Sequence, residues 1–188
     1  DAGSPPASGK KQVVWLDCDP GHDDAMAILL AGHSKKVDLV GVSTVAGNQS
    51  VEKTSNNALA CLDAFGLSHI PVVKGQPRPL LRSPKFCAFI HGESGLDSLH
   101  GGAIFPESER KPLTSRKCVN VIFAAIQKHY KGAGSRRGMV VKLICTGSLT
   151  NVGTLHKSEC LPFHCDPFHD VALKLTGCFV SSAAYGLP

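Results

Sequence analysis

Asp17, Asp19, Asp23 and Asp24 place four carboxylates within eight positions, directly after the apolar run Val13-Val14-Trp15-Leu16. Carboxylates crowded this closely repel one another unless protons or a cation neutralise them. A hard divalent cation held by oxygen ligands is the simplest remedy. Between the acids, Pro20-Gly21 dictates a turn, and the run 25–31 that follows is rich in helix formers. The acids therefore fall at a strand-to-helix corner, next to a helix N-terminus. In an open α/β sheet that is where ligands bind. Capping the helix would account for Asp23 or Asp24, but not for Asp17 and Asp19 as well.

The rest of the chain supplies elements able to hold such a corner. The spacing predicts a strand over residues 12–17, a helix to about Gly32, and a mostly apolar second strand over 37–45 that ends at Ala46-Gly47-Asn48. A helix follows over 50–65, then a short third strand over 71–73. Residues 75–114 are rich in Gly, Pro and Ser and lack periodicity, a length that suits a functional excursion over a site. A helix starts at Cys118, and a strand over 139–145 ends in Thr146-Gly147-Ser148-Leu149-Thr150-Asn151, which leads into a short helix. Alternating strands and helices imply an α/β fold with an open, mostly parallel sheet and flanking helices. Parallel strands would bring the acid corner, Asn48 and Thr146 to one sheet edge.

Composition sets outer bounds. At 188 residues, 43% hydrophobic and 19% charged, the chain suits one globular domain. The net charge of +5 does not point to nucleic acid, because the basic residues are scattered among apolar segments and the pair Arg136-Arg137 sits in a Gly-rich turn. No run approaches the ~18 apolar residues of a membrane helix, and no charged-then-apolar leader opens the sequence. Of eight cysteines, Cys18, Cys61, Cys87, Cys118 and Cys145 lie in apolar or helical stretches, as free core thiols do. A reducing, cytoplasmic setting is expected. Residues 1–11 read as a disordered tail, 12–157 as the folded domain and 158–188 as a divergent tail. In that second tail, Cys160, His164, Cys165, His169 and Cys178 have the chemistry of zinc ligands, but only the two histidines have a zinc-like spacing.

The motifs Asp17-Cys18-Asp19-Pro20-Gly21-His22-Asp23-Asp24-Ala25, Thr44-Val45-Ala46-Gly47-Asn48, His91-Gly92-Glu93-Ser94-Gly95 and Thr146-Gly147-Ser148-Leu149-Thr150-Asn151, in this order, resemble the inosine–uridine preferring nucleoside hydrolases. The resemblance implies a Rossmann-like nucleoside hydrolase fold, Ca2+ as cofactor, and cleavage of the N-glycosidic bond of ribonucleosides such as inosine and uridine to base and ribose. By the same resemblance, Asp19 would bind the metal and activate water, Asp24 would be a bidentate calcium ligand, and Thr146 would give the metal a backbone carbonyl. Asp23 and Asn48 would hold ribose hydroxyls, His91 would lie near the leaving base, and Asp17 would brace the turn. Family members form dimers or tetramers, so a homo-oligomer is implied.

The likeness fades after about Leu155, whereas family members run much further and add a late His-Asp pair to the site. Impaired hydrolysis by this shortened chain is therefore expected. The alternative is an inactive isoform or fragment that binds only metal or nucleoside. A second enzyme class, the haloacid dehalogenase-type magnesium phosphatases, also opens on a strand and Asp-x-Asp; there Asp17 would be nucleophile and Asp19 general acid. Gly21 stands where that motif has Thr or Val, and Asp23-Asp24 would repel a phosphate.

Overall fold

The apolar run before the acids is β1 (Gln12–Cys18), in which Val13, Val14, Trp15, Leu16 and Cys18 are all buried. A strand covered on both faces needs such an unbroken run rather than alternation. The computed structural model describes residues 11–131 and 141–157. After β1 come α1 (His22–His33), β2 (Val37–Thr44), α2 (Val51–Ala64), β3 (Val72–Lys74), α3 (Ala88–His91), α4 (Cys118–Lys131), β4 (Lys142–Cys145) and α5 (Thr150–Lys157).

The four strands form one parallel sheet in the order β3-β2-β1-β4. The chain winds outward from β1 to β3, then crosses back to add β4 on the other side of β1. This reversal between β1 and β4 is the topological switch point at which α/β sheets open a ligand crevice. One sheet face packs Val14, Leu16 and Cys18 of β1 with Ile28 of α1 and Leu59 and Leu62 of α2. The other packs Trp15 with Val119 and Ile122 of α4, Leu143 of β4 and Leu155 of α5. Gly41 on β2 makes room for the indole, since a Cβ there would lie 2.3 Å from Cζ3 of Trp15.

The expected α/β architecture and strand sequence are present. Boundaries differ by a residue or two: α1 runs through Gly32 to His33, and β2 stops at Thr44, one short of Val45. The excursion over residues 75–114 holds the one-turn helix α3, too short to announce itself by periodicity. Cys18, Cys61, Cys87, Cys118 and Cys145 are buried, as core thiols are expected to be. Residues 1–10, residues 139–140 of the expected fourth strand, and the tail over 158–188 with its zinc-like residues lie outside the described residues. Among the described residues, no helix is long and apolar enough to cross a membrane.

Candidate functional site

Three parallel strand ends deliver the polar cluster. β1 ends at Cys18 and delivers Asp19, β2 delivers Asn48 through the turn 45–50, and β4 delivers Thr146. The strand ends are tied directly, for the Asp17 carbonyl accepts from Thr146 N at 2.9 Å and the Cys18 carbonyl from Val45 N at 3.1 Å.

Asp19 and Asp24 form the centre. Asp19 Oδ2 accepts from the Asn48 main-chain N–H at 2.7 Å, and the Asn48 side-chain amide donates to the Asp19 carbonyl at 3.0 Å and to Asp24 Oδ2 at 3.4 Å. The Thr146 hydroxyl donates to Asp24 Oδ1. Asp24 also caps α1, as its Oδ2 accepts from Gly21 N at 3.2 Å, so one acid serves both helix and site. Burial, then the Asp24 charge, pushes the Asp19 carboxyl up to about 8. Burial likewise lifts Asp24 to about 6 against the hydrogen bond from Thr146. Both groups are thus strained as anions unless a positive charge joins them.

The backbone around Asp19 is pared down to fit it. A Cβ on Gly47 would fall 1.9 Å from Asp19 Oδ2, and one on Gly147 would fall 2.6 Å from Oδ1. Two glycines on different strand ends therefore form a cradle around one carboxylate. Two buried carboxylates with neutral oxygens at their rim suit a hard, oxygen-seeking cation. Among the described residues, no group of three His, Cys, Asp or Glu side chains converges with metal-ligand spacing, and the groups at the rim of Asp19 and Asp24 there are neutral ones, Asn48 and Thr146.

Asp17 has a different setting. It is wholly buried; its Oδ1 accepts from Ser43 Oγ and, at 2.8 Å, from the Asn151 amide, while Oδ2 has no partner among the described residues. Burial raises it to about 6. Ser43 Oγ in turn accepts from Trp15 Nε1 at 3.0 Å, and Asn151 also donates to the Thr44 carbonyl at 2.9 Å. A nucleophile must be reachable, and Asp17 is not, which removes the phosphatase reading in which it attacks substrate. Asp23 is exposed on the first turn of α1. His91 ends α3, buried against the corner: a Cβ on Gly21 would sit 2.7 Å from both His91 Cε1 and Asn48 Nδ2. Burial holds its imidazole below the ordinary value.

The structure thus brings Asp19, Asp24, Asn48, Thr146 and His91 together, with Asp23 at the rim. Sequence reasoning quoted His22, Gly47, Gly147 and Asn151 inside its motifs without giving them work. Ser43 lay in an expected strand, where a lone serine in an apolar run signals a buried partner.

The family profile described as "Inosine-uridine preferring nucleoside hydrolase" matches residues 14–160. A probable ribonucleoside hydrolase of Dictyostelium discoideum is 44% identical over 76% of this chain and 41% of its own length. An inosine-uridine preferring nucleoside hydrolase of Leishmania major is 36% identical over 78% and 43%. Among solved structures, a plant nucleoside hydrolase superposes with a TM-score of 0.68 at 28% identity, over 81% of this chain and 44% of that one. The chain spans less than half the length of the curated relatives it matches.

Proposed function

The chain belongs to the inosine-uridine preferring nucleoside hydrolase family, and on that footing we propose that its site serves calcium-dependent hydrolysis of the N-glycosidic bond of ribonucleosides. The observation that carries this reading is the convergence of Asp19 and Asp24 with Asn48 and Thr146 at the β1–β4 switch point. We propose residues 12–157 as the hydrolase-like domain.

In this reading Asp19, Asp24 and Thr146 hold the calcium ion, Thr146 through its main-chain carbonyl. When bound, the cation supplies a Lewis acid that lowers the pKa of coordinated water. Asp19 takes the proton of the attacking water, its orientation fixed by the Asn48 N–H and the glycine cradle. Asp23 and Asn48 hold ribose hydroxyls, and the carboxylates stabilise the oxocarbenium-like charge that develops on the sugar as the bond to the base breaks. His91 stands on the side of the leaving base. A cytoplasmic setting is part of the proposal, supported by the burial of Cys18, Cys61, Cys87 and Cys118 as core side chains. A dimer or tetramer is part of the proposal and is read by light scattering.

A second reading is binding of metal and nucleoside without cleavage, for which the convergence of Asp19, Asp24, Asn48 and Thr146 would suffice. Ribose release from inosine and uridine by the full chain, with calcium and with chelator, separates the two. Calcium-dependent release supports hydrolysis. Saturable calcium and inosine binding without release supports the second reading, and absence of both binding and release overturns the site.

A further inference from the structure

His22 opens α1 immediately before the acids Asp23 and Asp24, and its ring lies stacked on His91 with centroids 5.3 Å apart and planes at 20°. The two Nδ1 atoms are 3.0 Å apart, and His22 Nε2 is 3.0 Å from the Asp97 carbonyl oxygen. Neither contact is needed to fold α1, whose first turn is capped by Asp24. Resting on the nucleoside-site reading above, we infer that His22 is a positioning residue that holds His91 as its Nδ1–H tautomer, leaving the Nε2 lone pair as a hydrogen-bond acceptor for an N–H or O–H group of the leaving base.

Proton accounting leads there. The Asp97 carbonyl can only accept, so His22 Nε2 carries a hydrogen. A neutral His22 then has only a lone pair at Nδ1, and the single proton between the two Nδ1 atoms belongs to His91. The main-chain N–H of His22 lies 3.4 Å from the same His91 nitrogen and is the weaker claim on it. His91 Nε2 makes no hydrogen bond among the described residues, although the residue is only 8% exposed. An imidazole that spent both nitrogens on packing would bond at both.

The carbonyl that starts this chain is itself fixed. Asp97 Oδ2 accepts from Glu93 N at 2.8 Å and Oδ1 from Ser94 N at 3.3 Å and from the Ser94 hydroxyl, while Asp97 N donates to the His91 carbonyl at 3.0 Å. Gly92, at φ 78°, is the residue that lets the loop close, and a Cβ there would strike Asp97. The loop that carries His91 thus also aims the group that sets the tautomer of His22, and His22 passes that choice back to His91.

The test is long-range 1H–15N correlation on the uniformly labelled full chain at about pH 8.5, where imidazole of ordinary pKa is neutral. The expected result is His91 as Nδ1–H and His22 as Nε2–H. His22→Leu should convert His91 to the Nε2–H form, and His22→Asn, whose side-chain oxygen can accept from Nδ1–H, should restore the original signature. Nε2–H in the unmodified chain, a doubly protonated His22, or an unchanged His91 in His22→Leu overturns the inference. Should His22→Leu fail to fold, the unmodified chain and His22→Asn still decide it. Titration with inosine is read separately: a tautomer as stated with no movement of His91 Nε2 defeats the nucleoside reading and leaves the tautomer assignment standing.

Discussion

The Thr146 hydroxyl donates to Asp24 Oδ1 from 122 residues further along the chain, joining the end of β4 to the first turn of α1. Hydrogen bonds to charged groups contribute about 1.5–3 kcal/mol. Thr146→Val should therefore lower stability by roughly that range in chelator, measured by urea unfolding, and weaken calcium binding by about 10- to 100-fold, as loss of a supporting contact does. Thr146→Ser, which keeps the hydroxyl, should stay near the parent. Equal behaviour of the two variants would show that the hydroxyl is idle.

Asp24→Asn removes one of the two central carboxylates while keeping its size. Calorimetry should show calcium affinity falling by more than about 100-fold, beyond the loss expected for an outer contact. Asp63→Asn, in the remote cluster where Asp63 Oδ1 pairs with Arg110 at 2.8 Å, should leave calcium affinity unchanged.

Gly47→Ala tests the cradle. The new methyl would sit 1.9 Å from Asp19 Oδ2, so the carboxylate must move. Overpacking of this kind costs about 1–3 kcal/mol. The expected signature is loss of calcium binding out of proportion to the change in melting temperature. Retention of full calcium affinity would show that Asp19 is free to shift.

Metal-free protein should lose stability as pH rises. The folded-state values, about 6 for Asp17, about 6 for Asp24 and about 8 for Asp19, all lie above the ordinary 3.8 because burial disfavours the anions. Raised groups bind protons more tightly in the folded state, so their stabilisation is complete below about pH 4 and is lost as pH rises through the folded values, by about 6 for Asp17 and Asp24 and by about 8 for Asp19. Thermal melts in chelator at pH 5 and 8.5 should show the lower pH ahead, and added calcium should narrow the gap. Asp63 leaves this window undisturbed. Burial acts upward on it, but hydrogen bonds from Ser108, Ser68 and Arg110 outweigh that and hold it below 3.8, so its contribution is lost only in stronger acid.

Ser43→Ala should be costly despite its size. It strips a donor from buried Asp17 and leaves Trp15 Nε1 without its acceptor. An unsatisfied buried group costs about 1–3 kcal/mol, so a loss of that order or somewhat more should appear in urea unfolding. A loss well below 1 kcal/mol would mean that water replaces the hydroxyl.

Much of this was legible because local chemistry and global fold agree. β1 announced itself by its apolar run, the Pro20-Gly21 turn located the corner, and the parallel reading alone predicted that Asp19, Asn48 and Thr146 share an edge. The order of strands was not legible, since nothing local tells β4 to lie beside β1 rather than beyond β3. The link through Trp15, Ser43, Asp17 and Asn151 also escaped, because its members belong to three separate elements and each reads alone as an ordinary strand or loop residue. His22 was hidden for a related reason: its partners His91 and Asp97 lie 69 and 75 positions away.

The tie from Asn151 to Asp17 spans 134 residues, and that distance orders events during synthesis. The acids are made first, and the amide that pairs with the deepest of them is made only after β4. At about 5–20 residues per second, the interval is several seconds or more. Throughout it the nascent chain carries the acid cluster without the donors of β4 and α5, so pairing of β4 with β1 is, among the described residues, the step of longest reach, and it buries carboxylates that burial disfavours as anions. Calcium present during synthesis would then act as a folding aid before substrate is ever met, and refolding yield should rise with calcium even where turnover is not measured.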